Sequence, residues 1–171
     1  FERLMMLEYF AAPNFRSGEG VLPEHTTDRN LCRFMVKLLR PQPGESIHDP
    51  ACGSGGFLVA ALRYILSPPQ EEEDSSSTRS DPTTADAGEV SISGCDLDEA
   101  AQLTDLARLN LTLHGAVEAD IRRADLLAAE TDSQPPRQHD IILCNAATTP
   151  LDPHTGGKFL SAIIDRLAPG G

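Results

Sequence analysis

The sequence predicts an α/β fold, a parallel sheet with helices on both faces. Three observations carry this expectation. Short β-prone runs alternate with amphipathic helical stretches, the pattern of strand–helix–strand units. One strand-to-helix junction, residues 49–57, reads Asp-Pro-Ala-Cys-Gly-Ser-Gly-Gly-Phe, a glycine turn of the kind that lets backbone approach a ligand closely. The chain has 171 residues, 40% of them hydrophobic, enough for one domain with a real core.

Taken in order, Phe1 to Ala12 is apolar at helical spacing (Leu4, Leu7, Phe10, Ala11) and predicts a lead-in helix, followed by loop from Pro13 to Pro23. Thr27 or Asp28 can cap a helix running to about Arg40, with Leu31, Phe34, Met35, Leu38 and Leu39 on one face. Pro41-Gln42-Pro43-Gly44 ends it. Strand one is Glu45 to Asp49, and its helix runs from Gly55 to Leu66. Ser67 to Glu89 holds Pro68-Pro69, an acidic run from Glu71 to Asp74 and three serines, with almost nothing apolar, so it reads as a disordered loop.

Strand two is Val90 to Cys95. A helix from Asp98 to His114 follows, apolar at Ala101, Leu103, Leu106, Leu109, Leu111 and Leu113, and Gly115 ends it as a C-terminal cap would. Strand three is Ala119 to Arg122, strand four the apolar run Asp140 to Cys144, and a last helix spans Lys158 to Leu167. The organisation expected is a helical lead-in over residues 1–44 and a sheet-centred core over 45–171. The chain starts at Phe1 and stops at Pro169-Gly170-Gly171, a turn that ordinarily leads into another strand, so a longer chain is expected.

Net charge is −12, with 14 Lys and Arg against 26 Asp and Glu, and Arg122-Arg123 is the only adjacent basic pair. Phosphate contacts supply most of the affinity of a protein that grips nucleic acid, so this chain is not expected to hold DNA unaided. A homo- or hetero-oligomer is compatible with this balance. Cys32, Cys52, Cys95 and Cys144 form no Cys-x-x-Cys pair, and no His lies at metal-ligand spacing, so reduced structural cysteines and no metal are expected. With no signal peptide and no apolar run of membrane length, no membrane association is expected and the cytoplasm is the default.

The turn at 49–57 lacks the Gly-x-Gly-x-x-Gly spacing of a dinucleotide site and the Gly-Lys-Ser/Thr of a triphosphate site. An Asp at a strand end beside Gly-x-Gly-Gly suits a ligand with a cationic amino acid part and a ribose, such as S-adenosyl-L-methionine. The nonapeptide resembles motif I of the N6-adenine DNA methyltransferases, most closely the modification subunits of type I restriction–modification systems. Other segments follow the family's order. Gly18-Glu19-Gly20 with Thr26-Thr27-Asp28 resembles its Gly-Glu-Phe-Tyr-Thr-Pro segment, and Asn110-Leu111-Thr112-Leu113-His114-Gly115 its Asn-x-x-Leu-His-Gly helix end. Asp125-Leu126-Leu127 resembles its Gly-Asp-x-Leu turn, and Asn145-Ala146-Ala147-Thr148 falls where it carries Asn-Pro-Pro-Phe or Tyr. The resemblance implies a Rossmann-like S-adenosylmethionine-dependent methyltransferase fold of seven strands, of which this chain supplies about four.

It also implies site residues. Asp49, with Gly53 and Gly55, would hold the methionine part of the cofactor, Ala51, Ser54 and Phe57 would also bind the cofactor, and Thr27 would close over its methionine end. Asp96 and Leu97 would meet the ribose, and Asp125 and Leu126 the adenine. The bland alternatives are a capping Asp49 in an ordinary turn, an N-cap role for Asp96 and a turn role for Asp125. His48 and His114 read as structural.

In the family, the Asn oxygen and the next residue's carbonyl accept the two amino hydrogens of the target adenine, two prolines aim that carbonyl, and an aromatic ring stacks on the flipped base. Here Asn145 is retained, whereas Ala146, Ala147 and Thr148 replace the rest; losing a stacking ring forfeits ~1–3 kcal/mol, and a misaimed acceptor slows transfer by roughly a hundredfold. Two functions stay open: a DNA adenine methyltransferase working with a specificity subunit that holds the DNA, or a binding module without methyl transfer.

Overall fold

The computed structural model describes residues 27–66, 90–97, 102–127, 137–145 and 153–171. The lead-in helix at Phe1 to Ala12, the loop that follows it and the acidic stretch at 67–89 lie outside them. The elements in chain order are α1 (Arg29–Leu39), β1 (Ser46–Asp49), α2 (Gly56–Leu66), β2 (Ser91–Asp96), α3 (Gln102–Leu113), β3 (Asp120–Arg123), β4 (Ile141–Ile142) and α4 (Pro153–Ile164).

The four strands form one parallel sheet in the order β3-β2-β1-β4. From β1 the chain steps outward through β2 and β3, then returns to β1's other side as β4. The strand order reverses at β1, and the carboxyl ends of β1 and β4 flank the crevice where ligands of open parallel sheets sit. β1 is held at its start by Asp140, whose Oδ2 accepts from the Ser46 amide (2.8 Å) and hydroxyl (2.6 Å).

Asp28 caps α1 by accepting from the amides of Asn30 and Leu31. This satisfies two of the N–H groups that a helix start leaves open. The face of α1 that packs inward differs from the expected one. Cys32 and Val36 are buried, whereas Leu31, Phe34, Leu38 and Leu39 are exposed and Met35 is half-buried. α1 packs on α2, and at Gly56 a Cβ would lie at an ordinary contact distance, 3.7 Å, from the Cys32 thiol.

α2 is buried at Phe57, Leu58, Val59, Ala61, Leu62 and Ile65, and packs on β1 and β2. It forms the centre of one core with Cys32, Val36, Ile47, Ile92, Leu111 and Ile121, so α1 shares the core of the sheet. α3 turns Thr104, Ala107, Asn110 and Leu111 inward and leaves Leu109 and Leu113 exposed. His48, on the sheet face opposite Ile47, stacks on His139 with ring centroids 4.5 Å apart and bonds the Ser93 hydroxyl (2.9 Å). Burial, with His139 beside it, pushes the His48 imidazole down to about 4. The ring thus makes its stacking contact and its hydrogen bond within the fold.

Two boundaries differ from those expected. β4 is only Ile141–Ile142, although the Leu143 amide still bonds the His48 carbonyl at 3.0 Å. The last helix begins at Pro153, not Lys158, and ends at Ile164. Pro153 sits at the helix start, where its missing N–H is not needed. The end comes early because Leu167 leaves the helix to bridge with His139.

Candidate functional site

The turn after β1 is built by cross-bracing from three elements. Asp49 ends β1 and is 1% exposed; its Oδ1 accepts from the Ala51 amide at 3.0 Å. Burial pushes its carboxyl up to about 7, and the nearby Asp96 charge adds to the rise. The Gly53 amide donates to Asp96 Oδ2 at the end of β2 (2.7 Å), and the Cys52 amide donates to the Cys95 carbonyl (2.9 Å). The Asn110 side chain, on α3, donates to the Ser54 carbonyl at 2.9 Å. The Gly55 amide closes the turn onto the Cys52 carbonyl (2.7 Å), and α2 begins immediately afterwards.

Two glycines make this geometry possible. Gly55 has φ +85, and a Cβ there would meet the Ala107 Cβ at 3.3 Å, so the turn can lie on α3 only without a side chain. Gly94, on β2, faces the underside of the turn; a Cβ there would come within 3.0 Å of Cys52 Cβ and Leu58 Cδ1 and 3.1 Å of the Asp49 carbonyl oxygen. Gly53, by contrast, has φ +52 with open space where a side chain would project. The turn thus presents bare backbone outward.

The predicted residues fall into three groups. Asp49, Ala51, Gly53, Ser54, Gly55 and Asp96 come together in the turn and its brace, and Leu97, 62% exposed, lies beside Asp96. Asp125 follows β3, joined to β2 where the Ala124 amide donates to the Asp96 carbonyl (3.0 Å); its Oδ1 accepts from the Leu127 amide (2.8 Å), the geometry of a turn-making Asp. Phe57 and Leu126 are buried at 5% exposure each, so their side chains pack in the interior. The third group lies at the end of β4, where exposed Asn145 donates from Nδ2 to the Thr27 hydroxyl at 3.0 Å, joining two segments that the sequence separates widely. Ala146 and Thr148 lie outside the described residues.

Sequence reasoning missed Gly94, Ala107 and the side chain of Asn110 as parts of this assembly. Asn110 had a signal, since it opens the Asn-Leu-Thr-Leu-His-Gly helix end. The described residues contain no cluster of His, Cys, Asp and Glu able to hold a metal, and no described helix is long and apolar enough to cross a membrane. None of the four cysteines forms a disulfide.

The family model described as "N-6 DNA Methylase" matches residues 5–148, the span that contains the turn, its brace and Asn145. The chain belongs to this family. Among curated relatives, the methylase subunit of the type I restriction enzyme StySPI from Salmonella potsdam is 31% identical over 176 residues, covering 91% of this chain and 31% of the relative. Two solved structures are similar at 27% identity. One is a modification subunit of a putative type I restriction enzyme from Vibrio vulnificus YJ016 (TM-score 0.64, 95% of this chain and 33% of that one). The other is the type I restriction enzyme EcoKI M protein (TM-score 0.62, 86% and 32%). The chain spans about a third of the length of these relatives. Solved methyltransferases with lower identity share the fold, among them an O-methyltransferase from Bacillus cereus (TM-score 0.60, 15% identity, 99% of this chain and 63% of that one). The chain thus has a parallel α/β methyltransferase fold of the Rossmann-like kind.

Proposed function

We propose that this chain is the cofactor-binding part of a type I modification methyltransferase, acting on the N6 amino group of adenine in DNA. It would hold S-adenosylmethionine against the turn after β1. The observation that supports this best is the outward backbone of Gly53, in a turn that Gly55 seats on α3, bordered by Asp49, Asp96 and Asp125. A glycine turn leading into a helix would ordinarily suit a phosphate. Here the acids bordering it oppose an anion and favour a ligand with a cationic amino group and ribose hydroxyls. The donor set therefore fits S-adenosylmethionine.

When bound, the cofactor supplies an electrophilic methyl group on a sulfonium. The chain's own contribution is positioning. Asp96 is placed to accept from ribose hydroxyls while its Oδ2 holds the Gly53 amide, and exposed Leu97 offers apolar surface beside it. Asn145 donates to Thr27, which leaves its Oδ1 as the acceptor end of the amide. An acceptor there would take a hydrogen of the target amine and aim the nitrogen lone pair at the methyl group. Residues 1–44 would serve as a lead-in to the core at 45–171. With net charge −12, DNA would be held by a specificity subunit or by further parts of the protein.

Calorimetric titration with S-adenosylmethionine tests the cofactor half of this reading, with Asp49→Ala as control. Binding that is lost in the variant supports it, and no binding by the folded wild-type chain overturns it. A second reading, a module that binds cofactor without transferring the methyl group, is favoured by Asn145 being followed by Ala-Ala-Thr. The triple substitution Ala146→Pro, Ala147→Pro, Thr148→Phe separates the two. Adenine methylation that appears or strengthens, with DNA and the specificity subunit supplied, marks a weakened enzyme, and none marks the binding module.

A further inference from the structure

The peptide unit joining Ser54 to Gly55 is held at both ends. Its carbonyl accepts from Asn110 Nδ2 at 2.9 Å, and its N–H donates to the Cys52 carbonyl at 2.7 Å. A peptide unit is planar and turns as one piece, so the two bonds together fix its orientation. The need for such a fix is local. Gly55 sits at φ +85, and a glycine tolerates the conformations on either side of a peptide flip. The turn's own sequence therefore does not choose the orientation of this plane.

We propose that Asn110 is a positioning residue that makes this choice for the cofactor turn. It is 9% exposed, on the buried face of α3 between Ala107 and Leu111, where an apolar residue would serve packing equally well. Ala107, one helical turn earlier, abuts Gly55 from the same face, so α3 sets both the height of the turn and the direction of its amides. The helix end is fixed in turn: the backbone amide of His114 donates to the Asn110 carbonyl (3.2 Å), and its Nδ1 lies 2.7 Å from the same oxygen. Asn110 thus acts at one remove, through the Ser54 carbonyl. Its effect on affinity rests on the S-adenosylmethionine reading above; its effect on the turn does not.

The test uses two variants of the full chain. Asn110→Asp keeps the shape and loses the donor while ionised; Asn110→Ala loses the donor at every pH. S-adenosylhomocysteine affinity, measured by calorimetry from pH 5.5 to 8, is expected to fall about tenfold in both at pH 8. The defect of Asn110→Asp relative to wild type is expected to shrink as pH falls, because a protonated carboxyl can again donate to Ser54, while that of Asn110→Ala stays constant. Exchange of the Gly55 amide in the ligand-free chain should accelerate in both at pH 8. Lowered melting temperature with unchanged affinity and unchanged Gly55 exchange would overturn the proposal, as would the same pH-independent defect in both variants. If the wild-type chain binds no cofactor, the functional reading fails, and the Gly55 exchange still decides the role of Asn110.

Discussion

Replacing Asp49 by Asn removes a buried negative charge while keeping an acceptor for the Ala51 amide, and pH separates the two effects. In the fold, burial moves this carboxyl from the ordinary 3.8 up to about 7. A group whose folded value is raised stabilises the fold while protonated and gives that contribution up as pH rises between the two values. From pH 5 to 7 the wild-type chain therefore loses about 1.4 kcal/mol per pH unit on this account, about 3 kcal/mol in all. Asn at position 49 carries no such loss. Urea unfolding of both proteins at pH 5 and pH 8 should show an advantage for Asp49→Asn that is about 3 kcal/mol larger at pH 8, with unchanged m. The same variant should bind S-adenosylmethionine more weakly, which would mark the charge as kept for function at the expense of stability. An advantage that is equal at both pH values, or larger at pH 5, would refute the assignment of a raised Asp49 carboxyl.

His48 works in the opposite direction: its imidazole is ordinary at 6.5 when unfolded and falls to about 4 in the fold, so its contribution is present above 6.5 and lost as pH drops toward 4. In the Asp49→Asn background stability should therefore decline by about 3 kcal/mol across that window, and His48→Gln should flatten much of the decline in a pH series of urea midpoints. Gly94→Ala should destabilise the chain by about 1–3 kcal/mol in denaturant unfolding, because the added methyl meets Cys52, Leu58 and the Asp49 carbonyl; an unchanged midpoint would mean that the strand can move away. Burial pushes the thiols of Cys32 and Cys95 up to about 11 and that of Cys52 higher still, so timed alkylation of the native chain at pH 8, read by peptide mass, should label half-buried Cys144 first.

The sequence showed the layout where the signal is local. Strand and helix alternation, the Asp28 cap and the glycine turn depend on neighbours within a few positions, and each lies in the structure close to where it was expected. Asp49, Asp96 and Asn145 were legible as strand-end residues for the same reason. What was not legible depends on the partner across the fold. Cys32 and Val36, not the larger Leu31 and Phe34, face inward, where α1 packs on α2. Gly94 reads as an ordinary residue in its strand until the turn is laid above it. The Asn145–Thr27 contact joins residues 118 positions apart, and no pattern within either segment announces it.

The clasp between Ser46 and Asp140 spans 94 positions of the chain. β1 meets β2 at roughly half that distance, through the register Ser46 to Ser91. Closing longer loops costs more entropy before any contact repays it, so β1, α2, β2 and α3 can associate while the segment leading to β4 is still searching. The glycine turn after β1, with Asp96 and Asn110 against it, belongs wholly to that group. Asn145 reaches the site only with β4. The two segments of the proposed site therefore depend on closures of different length: the glycine turn and its braces need only the shorter one, and the Asn145–Thr27 contact needs the longer.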